Sequence, residues 1–358
     1  MAKGNTAVVC LSPYSGGMEM DAIKLARLLG NDVNIVLVAK AGHYIHSQFH
    51  KQLSESHVAL ELIDFSTMFS FNIIFGMRKI IRKYDIRNIV FFGSSELRSL
   101  YFAFLGFDLN VIVRHGTTKT RPKKDWFHRM IYRAVNYHVV ICKHLAENVE
   151  RIIPMRSSAQ LKLIYPSLRH LPQLNLDANR DSVIRLLHVG RVADGKGQLE
   201  AIEACEVLYA GGHQFELVCV GEVDPGYAEK INQLVSAKPY ASSIKLVGYT
   251  NDVASYYRKS QFFIFPSKGE GLSNSFIEAL SYGLICISYS NTSFPELRDL
   301  GFMFYMAEDQ NIDDLKVKLL EAVQEAASIQ LPMKSQSELA CKIFSSQRER
   351  DEYLDLLQ

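Results

Sequence analysis

Short runs of β-branched and apolar residues alternate with segments of helical spacing along the whole 358-residue chain. In the first half the apolar runs are "AVVCLS", "DVNIVLVAK", "NIVFFGS", "NVIVRHG", "YHVVICK" and "KLIYPS". Between the first two, Met20, Ile23, Ala26 and Leu29 recur at helical spacing, and Gly30 follows as a stop. The second half repeats the scheme with "IRLLHVGR", "FELVCVGE", "IKLVGYT", "FFIFPS" and "LICISYS". Near-continuous apolar strands separated by helices predict parallel sheets covered on both faces. The stretch Tyr165 to Ser182 breaks the rhythm with two prolines and polar residues, and reads as a linker. The expected class is α/β, with two doubly wound, Rossmann-like domains facing across a cleft. Their bounds are 1–168 and 183–337 around a linker at 169–182, with a terminal helix over about 338–358 packing back on the first domain.

Composition changes this picture only in places. At 48% hydrophobic and 22% charged, the chain is ordinary for a soluble globular protein, and its length exceeds one usual core. The six cysteines are scattered, with Cys10, Cys219 and Cys286 inside apolar strands, so a reduced, cytoplasmic protein is expected. The opening residues hold too short an apolar run for a secretory leader, and no apolar stretch reaches membrane-spanning length. Charge is unevenly divided. Residues 1–172 carry 23 Lys and Arg against 12 Asp and Glu, a balance of +11, and the remainder carries 17 against 26, a balance of −9. One domain is therefore expected to meet an anionic surface or polyanion.

Three constellations fall at strand ends, where such domains place ligands. In "LSPYSGGMEM", Gly16 and Gly17 sit between a strand and a helix, in a turn that admits close backbone approach or simply needs a positive φ. In "HVGRVADGKGQLEA", Arg191 and Lys196 flank a tight turn, with Gly195 and Gly197 around the lysine. Two cations beside a helix start suit a diphosphate, although paired surface cations in water are the plain alternative. In "SKGEGLSNSFIEALSYG", the helix is expected to begin near Ser273 to Ser275, directing the amides of Leu272, Ser273 and Asn274 at phosphate oxygens. Glu270 precedes them in the Gly-rich loop, and Ser275 with Glu278 has the spacing of a capping box.

The turn "GRVADGKG" (Gly190 to Gly197), followed by "EGLSNSFIEALSYG" (Glu270 to Gly283), resembles the retaining glycosyltransferases of family 4, which have the GT-B fold. "GYTNDVASYYRKSQFFIFPS" and "SFPEL" are similar to the same family, whereas over the first half the resemblance rests on "SGGMEM", "VRHG" and "VVICKHLAENV". It implies that Arg191 and Lys196 hold a donor diphosphate, that Glu270 binds the transferred sugar, and that Glu278 binds the ribose. Gly16, Gly17, Gly190, Gly221, Tyr249, Gly271, Leu272, Ser273 and Asn274 complete the implied donor site, and His115, ending a strand, is expected to face the cleft. The implied catalytic group is His115, Glu270, Arg191 and Lys196. The chain has no D-x-D motif, so cations and helix amides are expected to neutralise the leaving group without a metal or other cofactor.

The basic segment "TKTRPKKDWFHRMIYRAV" sets Lys119, Arg121, Lys123, Lys124, Arg129 and Arg133 among Trp126, Phe127, Met130 and Ile131. It reads either as a patch for an anionic membrane surface or acceptor, or as an amphipathic helix packed inward. No nucleic-acid module surrounds it. The expected protein is a cytoplasmic, peripheral transferase moving a sugar from a UDP-sugar to a surface glycan such as lipopolysaccharide core, O-antigen or capsule, free or lipid-linked. Its rivals are a nucleotide-sugar epimerase of the same fold and a silent partner subunit.

Overall fold

The computed structural model describes residues 4–357, apart from Ser15, residues 54–55, Met68, Ser94, and residues 170–182 and 327–332. The expected linker lies, from residue 170 on, outside the described residues. The chain forms two compact units, residues 1–167 with 344–358, and residues 168–343.

The first unit is built on a seven-stranded sheet: β1 (Asn5–Cys10), β2 (Ile35–Lys40), β3 (Val58–Ile63), β4 (Ile86–Phe92), β5 (Asn110–His115), β6 (Tyr137–Val140) and β7 (Gln160–Leu163). The order is β3-β2-β1-β4-β5-β6-β7, with every pairing parallel. Its helices are α1 (Gly17–Leu29), α2 (Tyr44–Leu53), α3 (Phe71–Lys83), α4 (Leu97–Phe104), α5 (Trp126–Tyr132) and α6 (Lys143–Ile152). The apolar runs become β1, β2 and β4 to β7, while β3 escaped the pattern reading. As an edge strand it buries only Val58 and Ile63 fully, so its apolar run is diluted by Glu61.

The second unit has β8 (Ile184–Val189), β9 (Phe215–Val220), β10 (Ile244–Gly248), β11 (Phe262–Phe265), β12 (Ile285–Tyr289) and β13 (Tyr305–Ala307). These run parallel in the order β10-β9-β8-β11-β12-β13. Its helices are α7 (Gln198–Ala204), α8 (Glu206–Ala210), α9 (Pro225–Ser236), α10 (Val253–Lys259), α11 (Asn274–Ser281), α12 (Phe294–Asp299), α13 (Ile312–Ala326) and α14 (Met333–Ile343). In both sheets the strand order reverses once, between β1 and β4 and between β8 and β11, and a crevice opens beyond the carboxyl ends at such a point. β8 and β11 pair at only two positions, Leu186 with Phe262 and Leu187 with Phe263.

Where one terminal helix was expected, the chain forms two. α14 belongs to the second unit, and α15 (Ser346–Leu356), N-capped by Ser345, returns to the first. Polar bonds fix α15 there. Glu349 accepts from the backbone N–H and hydroxyl of Ser167 at 2.8 and 2.6 Å and pairs with Lys24 at 3.1 Å. Asn110 donates to the Leu356 carbonyl at 2.7 Å. Beside this lies a buried pair, Arg114 with Asp21 at 2.7 Å. Arg114, one strand position before His115, thus faces the α1 side of the sheet and not solvent. Among the described residues, no helix is long and apolar enough to cross a membrane.

Asp21→Ala would leave the buried Arg114 guanidinium without its nearest carboxylate. It should cost about 3–5 kcal/mol, the range for breaking a buried ion pair from one side. Urea unfolding of the variant against wild type measures this directly.

Candidate active site

The turn after β8 and the turn after β11 meet at the reversal of the second sheet. Gly195 and Gly197 both hold positive φ, 75° and 86°, so the backbone at Lys196 is set by residues on either side that tolerate the left-handed region. A Cβ on Gly197 would lie 2.5 Å from the carbonyl carbon and oxygen of Pro266. Gly221, at the end of β9 with φ 153°, packs likewise, since a Cβ there would fall 2.0 Å from the Gly190 carbonyl oxygen. Gly190 and Gly221 therefore let neighbouring strand ends touch through their backbones. The Lys268 N–H donates to the Gly195 carbonyl at 3.0 Å, and Asn291 donates to that of Ser267 at 3.0 Å, lacing the loops after β8, β11 and β12.

Onto this frame the chain places Lys196 and Glu270, whose Nζ and Oε1 are 2.5 Å apart. Both side chains are partly exposed, so the pair is reachable from solvent. Arg191 is exposed and makes no ion pair among the described residues. Two residues unforeseen from the sequence hold the turn. His188, fully buried in β8, donates from Nε2 to the Lys196 carbonyl at 2.9 Å, and buried Gln198 donates to that of Arg191 at 3.0 Å. A histidine inside "IRLLHVGR", an apolar run, was the available signal for the first.

The helix after β11 starts within the expected span, two residues before the N-cap that a Ser275–Glu278 capping box would require. Ser273 is the N-cap of α11, its hydroxyl accepting from the Phe276 N–H at 3.3 Å. Glu278 therefore lies in the second turn and caps nothing. Its carboxylate accepts from the Tyr257 hydroxyl at 3.1 Å and lies 4.0 Å from Arg169. Gly271, Leu272 and Ser273 are buried between β11 and α11, Asn274 is half-buried, and Tyr249 is exposed after β10, donating to Asn251 at 2.9 Å.

Gly16, Gly17 and His115 belong to the first unit. Gly16 is the N-cap of α1 with an extended φ of −172°, and neither glycine has a positive φ, so the turn does not need them for strain. His115 is the last residue of β5. It is 1% exposed, its Nε2 lies 3.0 Å from His138 Nδ1, and Lys119 donates to its Nδ1 at 3.1 Å. With Nδ1 accepting, the Nε2–H donates to His138, and the pair serves to hold Lys119. Burial, then the charge of Lys119, pushes His115 well below the ordinary histidine range, and burial lowers His138 to about 4 and Lys119 to about 8.

The basic segment is loop and short helix, not one amphipathic helix: α5 begins at Trp126, capped by Asp125. Lys119 and Lys123 are half-buried, and Arg121, Lys124, Trp126 and Arg129 are exposed, the tryptophan at 75%. One H-x-x-x-H spacing does occur, His46 to His50 in α2, and the sequence reading passed over it. His46 Nδ1 accepts from the Gly42 N–H at 3.1 Å and His50 is exposed. Among the described residues no three His, Cys, Asp or Glu side chains gather as a metal-binding group.

Residues 184–325 match the family model described as Glycosyl transferases group 1. The chain carries a glycosyltransferase domain of that group. The glycosyltransferase domain includes β8 to β13, and with them Arg191, Lys196, Glu270 and Glu278. The capsular polysaccharide biosynthesis glycosyltransferase CapH of Staphylococcus aureus is 22% identical over 295 residues, covering 76% of this chain and 78% of that protein. Among solved structures, a glycosyltransferase from Rickettsia africae superposes with a TM-score of 0.85 at 15% identity, over 99% of this chain and 98% of that one. Anabaena Alr3699/HepE, solved in complex with UDP and glucose, gives 0.78 at 12% identity over 98% of each chain. The two parallel sheets with alternating helices are the GT-B fold.

Stability should fall on acidification from about pH 6.5 to 4. Unfolded imidazoles bind protons near 6.5, whereas folded His138 and His188 stay neutral down to about 4, so the unfolded state binds more protons in that window. Urea midpoints measured across the window test this, and His188→Asn should flatten part of the slope.

Proposed function

We propose that the protein is a retaining glycosyltransferase of the family 4 kind, moving a sugar from a UDP-sugar to a growing cell-surface polysaccharide. The observation that carries this is the Lys196–Glu270 pair, 2.5 Å apart at the reversal of the second sheet with Arg191 exposed beside it. A donor diphosphate needs cations, and a transferred sugar needs a carboxylate for its hydroxyls; here one short pair offers both. Lys196 has three N–H donors, so it can keep one on Glu270 and turn others to phosphate oxygen. Arg191 adds a planar, always-charged fork suited to a second phosphate oxygen. Glu278, freed of helix capping, keeps acceptor capacity for ribose hydroxyls while Tyr257 fixes its orientation.

These groups would neutralise charge as the sugar–phosphate bond breaks, a preorganised electrostatic route without a metal. Retention of configuration, with the acceptor approaching the face the diphosphate leaves, is part of the proposal. The UDP and glucose bound by HepE support the donor class, and the capsular role in the name of CapH supports the acceptor class. A cytoplasmic site of action, at the inner membrane face, accords with such an acceptor.

Arg191→Ala and Lys196→Ala should each lose about 2–4 kcal/mol of transition-state stabilisation, with the fold intact. Steady-state kinetics with the preferred donor tests this, and unchanged kcat/KM in either would remove the diphosphate assignment. Activity should persist in excess chelator; loss restored by Mg²⁺ or Mn²⁺ would contradict the metal-free route. Glu270→Gln should impair transfer more than UDP binding, whereas Glu278→Gln should weaken UDP and UDP-sugar binding alike. Calorimetric titration separates the two, and identical behaviour would end the division of roles.

A further inference from the structure

The first unit contains an open groove of about 710 Å³ whose lining is mostly cationic: Lys124, Arg129, Arg133 and Arg156, with Glu150 the only carboxylate. Its remaining wall, residues 153–155, is apolar. Two backbone bonds shape it. Arg156 Nη1 donates to the Arg133 carbonyl at 3.1 Å, and Arg129 Nε to the Lys124 carbonyl at 3.0 Å. Each bond uses one N–H of a guanidinium that has five, and fixes where the rest point. The Lys123 N–H, bonded to the Ile152 carbonyl at 3.0 Å, ties the basic loop to the end of α6 across the groove.

Among the described residues no carboxylate pairs with this charge. Among the described residues none of the four cations has an ion-pair partner within 4.0 Å, and Glu150 pairs with none of them. The Nε–H of Arg156 is buried without an acceptor. Like charges drawn together and a buried donor left unmet both raise the energy of the empty groove, and an anion with several oxygens relieves both at once. Trp126, Arg129 and Arg133 stand three and four residues apart on α5 and its C-cap, so the exposed indole borders the same side.

We propose that this groove is an anion site for a phosphate group, carried by a phospholipid headgroup or by a soluble phosphorylated compound. It lies between α5 and the turn after α6, in the unit that does not hold Arg191, Lys196 and Glu270. The basic segment was expected to act as a general surface that already included Arg133; the groove joins Arg133 to Arg156, which lies outside that segment, and leaves Lys119 to His115. The site stands whether or not the transferase reading holds, because it is read by binding alone.

Trp126, the single tryptophan, reports on the groove. The full chain with Lys196→Ala, which removes a competing phosphate contact, would be titrated with inorganic pyrophosphate and, separately, with phosphatidylglycerol-containing or pure phosphatidylcholine vesicles. Saturable emission changes with pyrophosphate, and a blue shift on the anionic vesicles alone, are expected, both weakening as salt rises. Adding Arg129→Gln and Arg133→Gln, two exposed positions, should weaken either response about tenfold or more with melting temperature unchanged. Response to pyrophosphate alone assigns the site to a soluble phosphate, and response to vesicles alone to a lipid headgroup; both uphold it. No response in either arm, or a double variant that binds like the parent, would overturn it.

Discussion

The close approach of backbone at the ends of β8, β9 and β11 is the constraint on which the second unit's site depends. Gly221 lies against the Gly190 carbonyl, and Gly197 lies against Pro266. Any side chain at Gly197 or Gly221 would push the turns apart by more than a flexible neighbour could absorb, because the opposing atoms are main chain. With the turns in contact, a lysine on one reaches a glutamate on the other. His188, buried and neutral, supports the same turn from beneath by holding the Lys196 carbonyl. The Lys196–Glu270 pair therefore rests on loops packed backbone against backbone.

Electrostatics divides the molecule differently. In the second unit the cation at the strand ends is matched by Glu270, and binding a diphosphate would exchange or share that partner. In the first unit, charge inside the fold is matched as strictly: Arg114 by Asp21, and Lys24 by Glu349. This matching brings the last helix home, since Glu349 accepts from Ser167 and pairs with Lys24, and the Leu356 carbonyl accepts from Asn110. Among the described residues, Lys124, Arg129, Arg133 and Arg156, which line the groove beside α5 and the end of α6, have no carboxylate within 4.0 Å.

His115 and Glu278 show how local geometry redistributes roles. Each was named for a ligand contact. Burial sets the first between His138 and Lys119, whereas an N-cap at Ser273, two residues before Ser275, takes the second out of the capping box. Each outcome combines a local bond, Lys119 to His115 and Phe276 to Ser273, with a distant one, His115 in β5 to His138 in β6 and Tyr257 in α10 to Glu278 in α11.

The sequence by itself determined the class of fold, since apolar runs too continuous for one-sided burial require parallel strands between helices, and most strands fall where those runs lie. It also marked the two key turns by their glycines, of which those on both sides of Lys196 take positive φ in the structure. It concealed β3, whose edge position leaves four of its six side chains short of full burial, and it left the N-cap of α11 open between Ser273 and Ser275, which stand two residues apart. Only the tertiary structure decided that Lys196 meets Glu270, that His115 is sealed against His138, that the terminal segment splits between two units, and that Arg133 joins Arg156 beside the basic loop. Those outcomes join residues 23 to 182 positions apart, and such pairings are set by strand order and packing, which no local spacing encodes.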